Sequence, residues 1–429
     1  MKHQHKLALV ALISLLIAAS VFGSETRINT LGYLANFHVR DTENIWLFPS
    51  SLTEYRKMII AESSYGDELW RGGVHIPLST TFTMGVYLEN TNEEISYADT
   101  QMGPNPVNLT PGYWISRSTL NSNLPVHAAA HQYTVFGAFE LSSMSLGFYA
   151  SSHSSKLTSK YTDPADTLIK NYEDNLSYRE YGIGISMNLN ERNRFDGTIF
   201  LSSGSFKHLH SANTPPQTMQ PEGYSTFGVA ARLFHAVSST TVLVPFASYA
   251  SGGEGYRSLI DANIPTTSVN KFSQMIVGGS ANIIPFENNL ITLSAGLMRS
   301  TMTREDTWPA DAGTPPVYGT NTGMTLPFLS IGMESQLTKW LGARLAFYEL
   351  LQTDTEELNS GVNNAMNEVK LTGNSYSAVF GLWFKLGKFT IDTLIDTDGA
   401  ADFLHNGPFL FSGNMAALFS KLSIIYNFE

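Results

Sequence analysis

The last nine residues of the chain, KLSIIYNFE (Lys421 to Glu429), alternate between polar and apolar side chains. One face of a strand in this stretch would carry Leu422, Ile424, Tyr426 and Phe428. The opposite face would carry Lys421, Ser423, Ile425 and Asn427. Successive side chains of a strand point to opposite sides of its sheet. The stretch therefore predicts a strand with one apolar and one mostly polar face, as in a half-buried globular sheet or a wall between lipid and water.

The composition fits strands and loops better than helices. Of 429 residues, 43% are hydrophobic and only 15% are charged, with a mean hydropathy of -0.07. Ser, Thr, Asn and Gly supply much of the polar share, which suits strands and turns. The formal net charge of -11 argues against nucleic acid as a partner. The sequence contains no Cys, which excludes disulfides and thiolate metal sites.

Residues 1–23 predict a secretory signal peptide, with a buried N-terminal helix as the alternative. Lys2 and Lys6 precede an apolar run from Leu7 to Ala19, and small residues follow up to Gly23. The run is too short for a membrane-spanning helix, so we expect cleavage after Gly23 and export. Since no later apolar run is long enough for such a helix, the mature chain could cross a membrane only as strands.

The same alternation recurs upstream of the C-terminus, as in YREYGIGISMNL (178–189) and NSYSAVFGLWFK (374–385). The connections between such stretches alternate in length. Short turns are predicted near Ser79, Ser142, Asn190, Val237, Phe286, Thr338 and Gly387. Long polar links are predicted at 89–130, 153–176, 205–223, 252–270, 301–323, 353–372 and 397–416. A soluble sandwich has no reason to keep every long loop at one end, whereas a bacterial outer-membrane barrel has short periplasmic turns and long extracellular loops.

The fold prediction is therefore all-β: a transmembrane antiparallel β-barrel of about sixteen strands. The number falls to fourteen if the first hairpin, predicted at 56–63 and 72–78, belongs to a plug. The domain prediction is a signal peptide at 1–23, an N-terminal periplasmic or plug segment at 24–55, and the barrel at 56–429. Because a bilayer offers no hydrogen-bond partners, the sheet must close on itself.

Charges of both signs recur on the polar faces of the predicted strands. The candidates for lining the lumen are Glu180, Arg232, Glu334, Arg344, Lys385, Asp392, Asp396 and Lys421. Inside a barrel, such residues either set the selectivity of a water channel or form internal ion pairs that stiffen the wall. The sequence leaves both interpretations open.

Two stretches carry a family resemblance. The C-terminal strand ends in Tyr426 and Phe428 and resembles the insertion signal of bacterial outer-membrane barrels, except that Glu429 follows the aromatic residue. DTENIWLFPSSL (41–52) resembles the N-terminal segment of FadL-like and PorV-like barrels through Trp46, Phe48 and Pro49, although Phe48 stands where Asn is usual. The resemblance implies a hatch inside the barrel. The alternative is a simple lead-in to the first strand.

Signals for catalysis and metal binding are weak. The histidine pairs His127 with His131, and His208 with His210, lack a third ligand nearby. The acidic stretch after Asp396 lacks the spaced Glu of a calcium loop. No hydrolase, P-loop or dinucleotide motif occurs in the sequence. We therefore expect no catalytic residues, no cofactor and no metal.

The predicted function is passive transport across the bacterial outer membrane, by a porin-like diffusion channel or a FadL-like route for hydrophobic molecules. The alternative is a non-conducting barrel that binds or assembles partners through its extracellular loops, as the PorV-like resemblance implies. Membrane lipid and the barrel-assembly machinery are the expected partners. The sequence identifies neither the permeant nor the oligomeric state.

Overall fold

The computed structural model describes residues 24–64, 70–90, 131–162, 169–210, 217–258, 267–307, 317–359, 366–395 and 421–428. The predicted signal peptide, His127, Asp396 and large parts of the predicted long links lie outside these ranges. Among the described residues, no helix is long and apolar enough to cross a membrane.

The chain begins its described part with an N-terminal segment, residues 24–55, made of short helices. These are α1 (Glu25–Asn29), α2 (Ala35–His38), α3 (Asn44–Leu47) and a 3-10 helix (Pro49–Glu54). The Ser24 side chain caps α1 by accepting a hydrogen bond from the backbone N–H of Arg27. Pro49 stands at the start of the 3-10 helix, where no N–H is required.

Sixteen strands follow and form one closed antiparallel ring in chain order, with β1 paired to β16. Their bounds are β1 Met58–Ser64, β2 Trp70–Pro77, β3 Phe82–Asn90, β4 His131–Leu141, β5 Met144–Thr162, β6 Ile169–Asn190, β7 Asn193–His210, β8 Gln217–Ala236, β9 Thr241–Ser258, β10 Thr267–Ile283, β11 Asn289–Thr307, β12 Val317–Gln336, β13 Leu341–Asn359, β14 Met366–Leu386, β15 Phe389–Ile395 and β16 Lys421–Asn427. The predicted sixteen-strand barrel is confirmed. The fourteen-strand alternative is wrong, because the first hairpin belongs to the wall.

The short turns lie where the sequence predicts them. Ser142 and Ser143 join β4 to β5, and Gly387 and Lys388 join β14 to β15. Ser142 and Gly387 have φ angles of 45° and 65°, in the left-handed region that tight turns use. We call this end of the barrel the short-turn end and the opposite end the long-loop end.

The two faces of the wall differ in polarity. On β16, Leu422 and Ile424 point outward and are 37% and 39% exposed, whereas Ser423 and Ile425 point inward and are buried. The same holds around the ring, because residues directly paired across strands share a face. Outward positions are mostly apolar, and inward positions mix hydroxyl, charged and aromatic side chains. Alternation of this kind separates lipid from the barrel interior.

Aromatic side chains border the outer apolar surface at two heights. Near the short-turn end, the rings of Phe82 and Phe139 lie 4.5 Å apart and those of Phe389 and Tyr426 4.7 Å apart. A second belt lies eight or nine residues along the strands from the short-turn end, where Tyr133, Tyr181, Phe227 and Tyr249 are exposed. With a rise of about 3.3 Å per residue and a tilt of roughly 40°, the seven or eight residues between the two belts span about 20 Å. An apolar band of this height fits a bilayer core.

Candidate functional site

The inner face of the barrel contacts the N-terminal segment, and this contact surface is the candidate site. Most side chains between Ser24 and Tyr55 are buried. The segment bonds to strands on opposite sides of the ring, for example from Ser50 to Ser186 on β6 and from Tyr33 to Ser330 on β12. The segment therefore lies inside the ring of strands, and few of its polar groups contact solvent.

The first ion-pair cluster surrounds Arg27, which is 1% exposed. Its guanidinium donates to Glu334 through Nε at 2.8 Å and Nη2 at 3.0 Å, and to Asp41 Oδ2 at 2.8 Å. Arg344 also donates to Glu334 and reaches Asp392 Oδ1 at 2.8 Å. Burial raises the pKa of Asp41 to about 6, although Arg27 opposes the rise. The cluster ties the segment to β12, β13 and β15.

The second cluster surrounds Arg71 on β2. Arg71 donates to Glu43 Oε2 at 2.6 Å and, through Nε at 2.8 Å, to Glu62 on β1, while Lys421 on β16 pairs with Glu25. Burial raises the pKa of Glu43 to about 8 despite Arg71, because Glu62 and Glu25 also lie near it. In Glu25, burial is outweighed by Lys421 and Arg71, which lower the pKa to about 2. The cluster joins the segment to the first two strands and the last.

The third cluster lies on β7 and β8. Arg232 donates from Nε to Asp196 Oδ2 at 2.8 Å and from Nη1 to the backbone carbonyl of Asn36 at 2.9 Å. Arg194 donates to Asp196 Oδ1 at 2.9 Å and pairs with Glu54. The middle of the N-terminal segment, at Asn36, and its C-terminal end, at Glu54, are thus bonded to the same stretch of wall.

Apolar contacts fill the space between these clusters. The Trp46 ring meets Tyr87 and Phe136 edge to face, with centroids 5.1 Å and 5.0 Å away. Phe48 is fully buried, with the Arg232 guanidinium 4.2 Å above its ring. Aromatic pairs in such geometry add to the stability that area burial provides.

Wall glycines allow the backbone of the segment to approach closely. A Cβ built at Gly147 would lie 2.2 Å from the carbonyl carbon of Pro49, and one at Gly332 would lie 2.1 Å from the carbonyl oxygen of Leu31. Glycine inside a strand commonly marks such a close backbone approach. Segment and wall are therefore shaped to each other at the backbone level.

Trp46 and Leu47 are the only apolar side chains of the N-terminal segment that are not fully buried. Leu47 lies at the edge of an apolar cluster together with half-buried Met298 and Tyr348. Met298 is nine residues from the short-turn end of β11, and Tyr348 is seven residues from that of β13. This apolar edge is therefore on the side of the segment that faces the long-loop end.

The structure brings together most of the charged residues predicted to line the lumen. Those in the ion-pair clusters are Arg232, Glu334, Arg344, Asp392 and Lys421. Glu180 is buried and accepts a hydrogen bond from Tyr149. Lys385 is exposed and shares the inward face with Thr390 close to the short-turn end. Asp396 is outside the described residues. A role for these residues in selectivity stays a prediction.

The predicted C-terminal signal residues lie at the short-turn end. The rings of Tyr426 and Phe428 are 6.4 Å apart, and the backbone N–H of Phe428 donates to the Lys57 carbonyl at 3.1 Å. These contacts extend the β1–β16 pairing beyond the strand. Recognition of the two aromatic residues by assembly machinery stays a prediction.

Sequence reasoning missed Arg27, Glu62, Arg71 and Asp196 as parts of the site. Glu62 shares the inward face of β1 with the apolar residues Met58 and Ile60. The alternating pattern therefore shows no polar face on this strand. Arg71 and Asp196 do fall on inward faces of strands, and a search for charged residues within alternating stretches could have found them. Among the described residues, no group of His, Cys, Asp and Glu could hold a metal ion.

A closed antiparallel ring with an even number of strands, an apolar outer face and a polar inner face is the architecture of outer-membrane β-barrels. The chain has this architecture. No protein-family model and no curated protein matches it.

Several solved structures are similar in outline. The toluene transporter TodX of Pseudomonas putida is 10% identical, with 95% of this chain and 99% of that chain covered and a TM-score of 0.41. The open form of the ferric-catecholate import receptor Fiu of E. coli is 7% identical, with coverages of 86% and 81% and a TM-score of 0.34. The ferric preacinetobactin receptor BauA of Acinetobacter baumannii is 8% identical, with 79% of this chain but only 62% of that chain covered and a TM-score of 0.39. Likeness at this level carries no argument about function.

Proposed function

We propose that the chain is an outer-membrane channel for passive transport of small apolar molecules, with the N-terminal segment as its plug. One observation carries the proposal. Of the two apolar side chains of the segment left partly exposed, Leu47 lies toward the long-loop end beside Met298 and Tyr348, whereas Trp46 packs against Tyr87 and Phe136. An apolar molecule entering from that end would find there the surface on which it can bind by burial.

The ion-pair clusters support a plugged barrel over an open water channel. Arg27, Arg71 and Arg232 each bond to both the segment and the wall, and none is more than 8% exposed as a side chain. Buried charges that are paired and hydrogen-bonded hold two surfaces in one register. A porin-like channel would instead leave such charges in water.

The location follows from the same architecture. An apolar outer band between two aromatic belts suits a bilayer, and an even-stranded ring with short turns at one end suits the bacterial outer membrane. We propose export by a signal peptide cleaved after Gly23, insertion by the barrel-assembly machinery through Tyr426 and Phe428, and a periplasmic short-turn end.

Uptake by intact cells tests the transport proposal. Phenylnaphthylamine, an apolar dye that an intact outer membrane excludes, serves as one probe, and a polar β-lactam cleaved by periplasmic β-lactamase serves as the other. We expect expression of the protein to speed dye uptake and leave β-lactam cleavage unchanged. Leu47→Ala should raise the half-saturating dye concentration by about tenfold, since one apolar contact of the binding surface is lost. Leu337→Ala is the matched control, because Leu337 lies in the short turn between β12 and β13 and is 58% exposed.

Planar-bilayer conductance separates the alternatives. We expect the intact protein to be silent and a variant lacking residues 24–52 to show open steps, because the deletion removes the plug. Open steps from the intact protein, or faster β-lactam cleavage, would establish a polar channel instead. Silence of both forms, together with unchanged dye uptake, would overturn transport and leave binding through the loops as the alternative.

A further inference from the structure

Two hydrogen-bond donors inside the barrel end on the same sulfur atom. The Tyr33 hydroxyl donates to Met298 Sδ at 3.8 Å, and the Gln274 side-chain amide donates to it from Nε2 at 3.6 Å. A thioether is a weak acceptor, so neither donor has the oxygen partner that a buried polar group normally has. An oxygen atom at the position of the sulfur would accept both hydrogen bonds more strongly.

The other half of the Gln274 amide is unsatisfied as well. Its Oε1 atom is buried and has no hydrogen-bond partner among the described residues. Rotation of the amide by 180° would exchange oxygen and nitrogen and would still present one donor and one acceptor. A hydroxyl group matches this pair, because it both donates and accepts. A carbonyl or ether oxygen only accepts and would leave Oε1 unsatisfied.

These polar atoms lie at the boundary between the apolar core of the barrel and its long-loop end. Gln274 is two residues nearer the long-loop end of β10 than fully buried Ile276, on the same inward face. Leu47, Met298 and Tyr348 are the half-buried side chains at the edge of this core. The unsatisfied amide therefore adjoins the apolar surface on which the proposed permeant binds.

The Tyr33 hydroxyl is held in place by its surroundings. The Tyr33 ring packs edge to face on Phe328, with centroids 5.3 Å apart, and lies 5.7 Å from the ring of Tyr348. Its backbone N–H donates to Ser330 Oγ at 3.1 Å. A donor fixed in this way loses little conformational entropy when a ligand binds.

The wall is irregular at the same height. The register of β11 against β12 shifts between Gly296 and Met298, and that of β12 against β13 shifts between Thr325 and Phe328. Such bulges redirect side chains and often occur beside functional sites. Met298 follows the shift directly, and its unbranched side chain is flexible enough to move aside for a ligand.

We propose that Tyr33 and Gln274 recognise a hydroxyl group on the transported molecule, so that the preferred permeant is a small apolar alcohol or phenol. The hydroxyl oxygen replaces Met298 Sδ as the acceptor for both donors, and its proton is donated to Gln274 Oε1. The apolar part of the molecule lies against Leu47 and Tyr348. The proposal deepens the transport function proposed above and rests on it for the binding surface.

Calorimetric titration of the folded protein in lipid nanodiscs tests the site, with empty nanodiscs as the blank. The probes are 1-naphthol and 1-methylnaphthalene, which share a ring system and differ in a hydroxyl against a methyl group. Gln274→Leu and Tyr33→Phe remove the polar atoms of the site. Gln132→Leu is the matched control, because Gln132 is also a buried glutamine, 8% exposed, but lies on β4 and donates to Ser151. Heat-modifiable gel mobility verifies that each variant has folded.

We expect the ratio of the two affinities, naphthol over methylnaphthalene, to fall about tenfold in Gln274→Leu and severalfold in Tyr33→Phe. The ratio should stay at the wild-type value in Gln132→Leu, and methylnaphthalene should bind all four proteins alike. An unchanged ratio in the folded Gln274→Leu and Tyr33→Phe variants would overturn the proposal. An equal fall in Gln132→Leu would also overturn it, because the effect would then not come from this site.

Dye uptake by cells keeps this result separate from the transport test. Faster dye uptake without a preference for naphthol would refute the hydroxyl site and leave transport standing. A preference for naphthol that depends on Gln274, without faster dye uptake, would support the binding site and refute transport alone.

Discussion

Replacing Arg27 by Met removes the cation on which the first ion-pair cluster depends. The guanidinium donates to Glu334, to Asp41 and, at 3.2 Å, to the carbonyl of Arg40. Glu334 keeps Arg344 as a partner, whereas Asp41 loses Arg27, its only cationic partner at hydrogen-bond distance among the described residues. Removing one partner of a buried pair costs about 3–5 kcal/mol, so we expect the free energy of unfolding to fall by about 4 kcal/mol.

The loss should depend on pH with a predictable sign. Burial raises the pKa of Asp41 in the folded wild type from 3.8 to about 6. A raised carboxyl pKa contributes stability that is present below pH 3.8 and is lost as the pH rises through 6. Without Arg27 the pKa rises further, because the opposing cation is absent. The deficit of Arg27→Met should therefore be larger at pH 8 than at pH 5.

Urea titration of the protein folded in lipid vesicles, followed by Trp fluorescence, measures this free energy. Arg56→Met is the matched control, because Arg56 pairs with half-exposed Glu140 and such pairs contribute less than about 1 kcal/mol. If Arg27→Met costs no more than Arg56→Met, or if its deficit does not grow with pH, the N-terminal segment is not held by buried charge.

Further predictions concern packing and titration of the same segment. Gly147→Leu should prevent docking of the segment, because its Cβ would collide with the Pro49 backbone; limited proteolysis should then cut within residues 24–55, which we expect to resist cleavage in wild type because they are mostly buried. Phe48→Ala should lower the free energy of unfolding by about 3–5 kcal/mol in the same urea titration, as expected for a fully buried Phe. Burial raises the Glu43 pKa to about 8 from 4.5, against the effect of Arg71, so stability should fall as the pH rises from 4.5 to 8. Glu43→Gln should flatten this pH dependence, and an unchanged profile would show that Glu43 does not cause it.

The local sequence pattern predicted the strands of the barrel wall well, but it predicted the contact surface with the N-terminal segment only in part. The alternation in β6 and β16 depends on neighbouring residues within one strand. The turns at Ser142 and Gly387 likewise depend on a few adjacent residues. Such local features can be predicted from a single sequence. Contacts of the N-terminal segment join residues far apart in the chain. The bond from Arg27 to Glu334 spans 307 positions, and it exists only because the ring closes. No spacing rule connects such residues.

Strand β1 shows a second limit. Its inward face carries Met58, Ile60 and Glu62, because the segment covers this part of the wall and makes its interior apolar. Predicting strand faces from alternating polar and apolar residues assumes that the barrel interior contains water. Where the N-terminal segment covers the inner wall and excludes water, apolar residues occupy both faces, and the charged residue among them no longer stands out in the pattern.

The β1–β16 pairing is the seam at which the ring closes, and it is short. It joins seven residue pairs, from Met58 with Asn427 to Ser64 with Lys421, whereas β5 and β6 are joined through 19. The N-terminal segment bridges this seam from inside, since the Glu25 N–H bonds to Glu62 on β1 while Lys421 on β16 pairs with Glu25. The segment therefore also holds together a short join of the wall from inside the ring. Deleting it should let the β1–β16 pairing fray, so leak currents of a truncated barrel need to be separated from opening of the proposed channel by cross-linking β1 to β16.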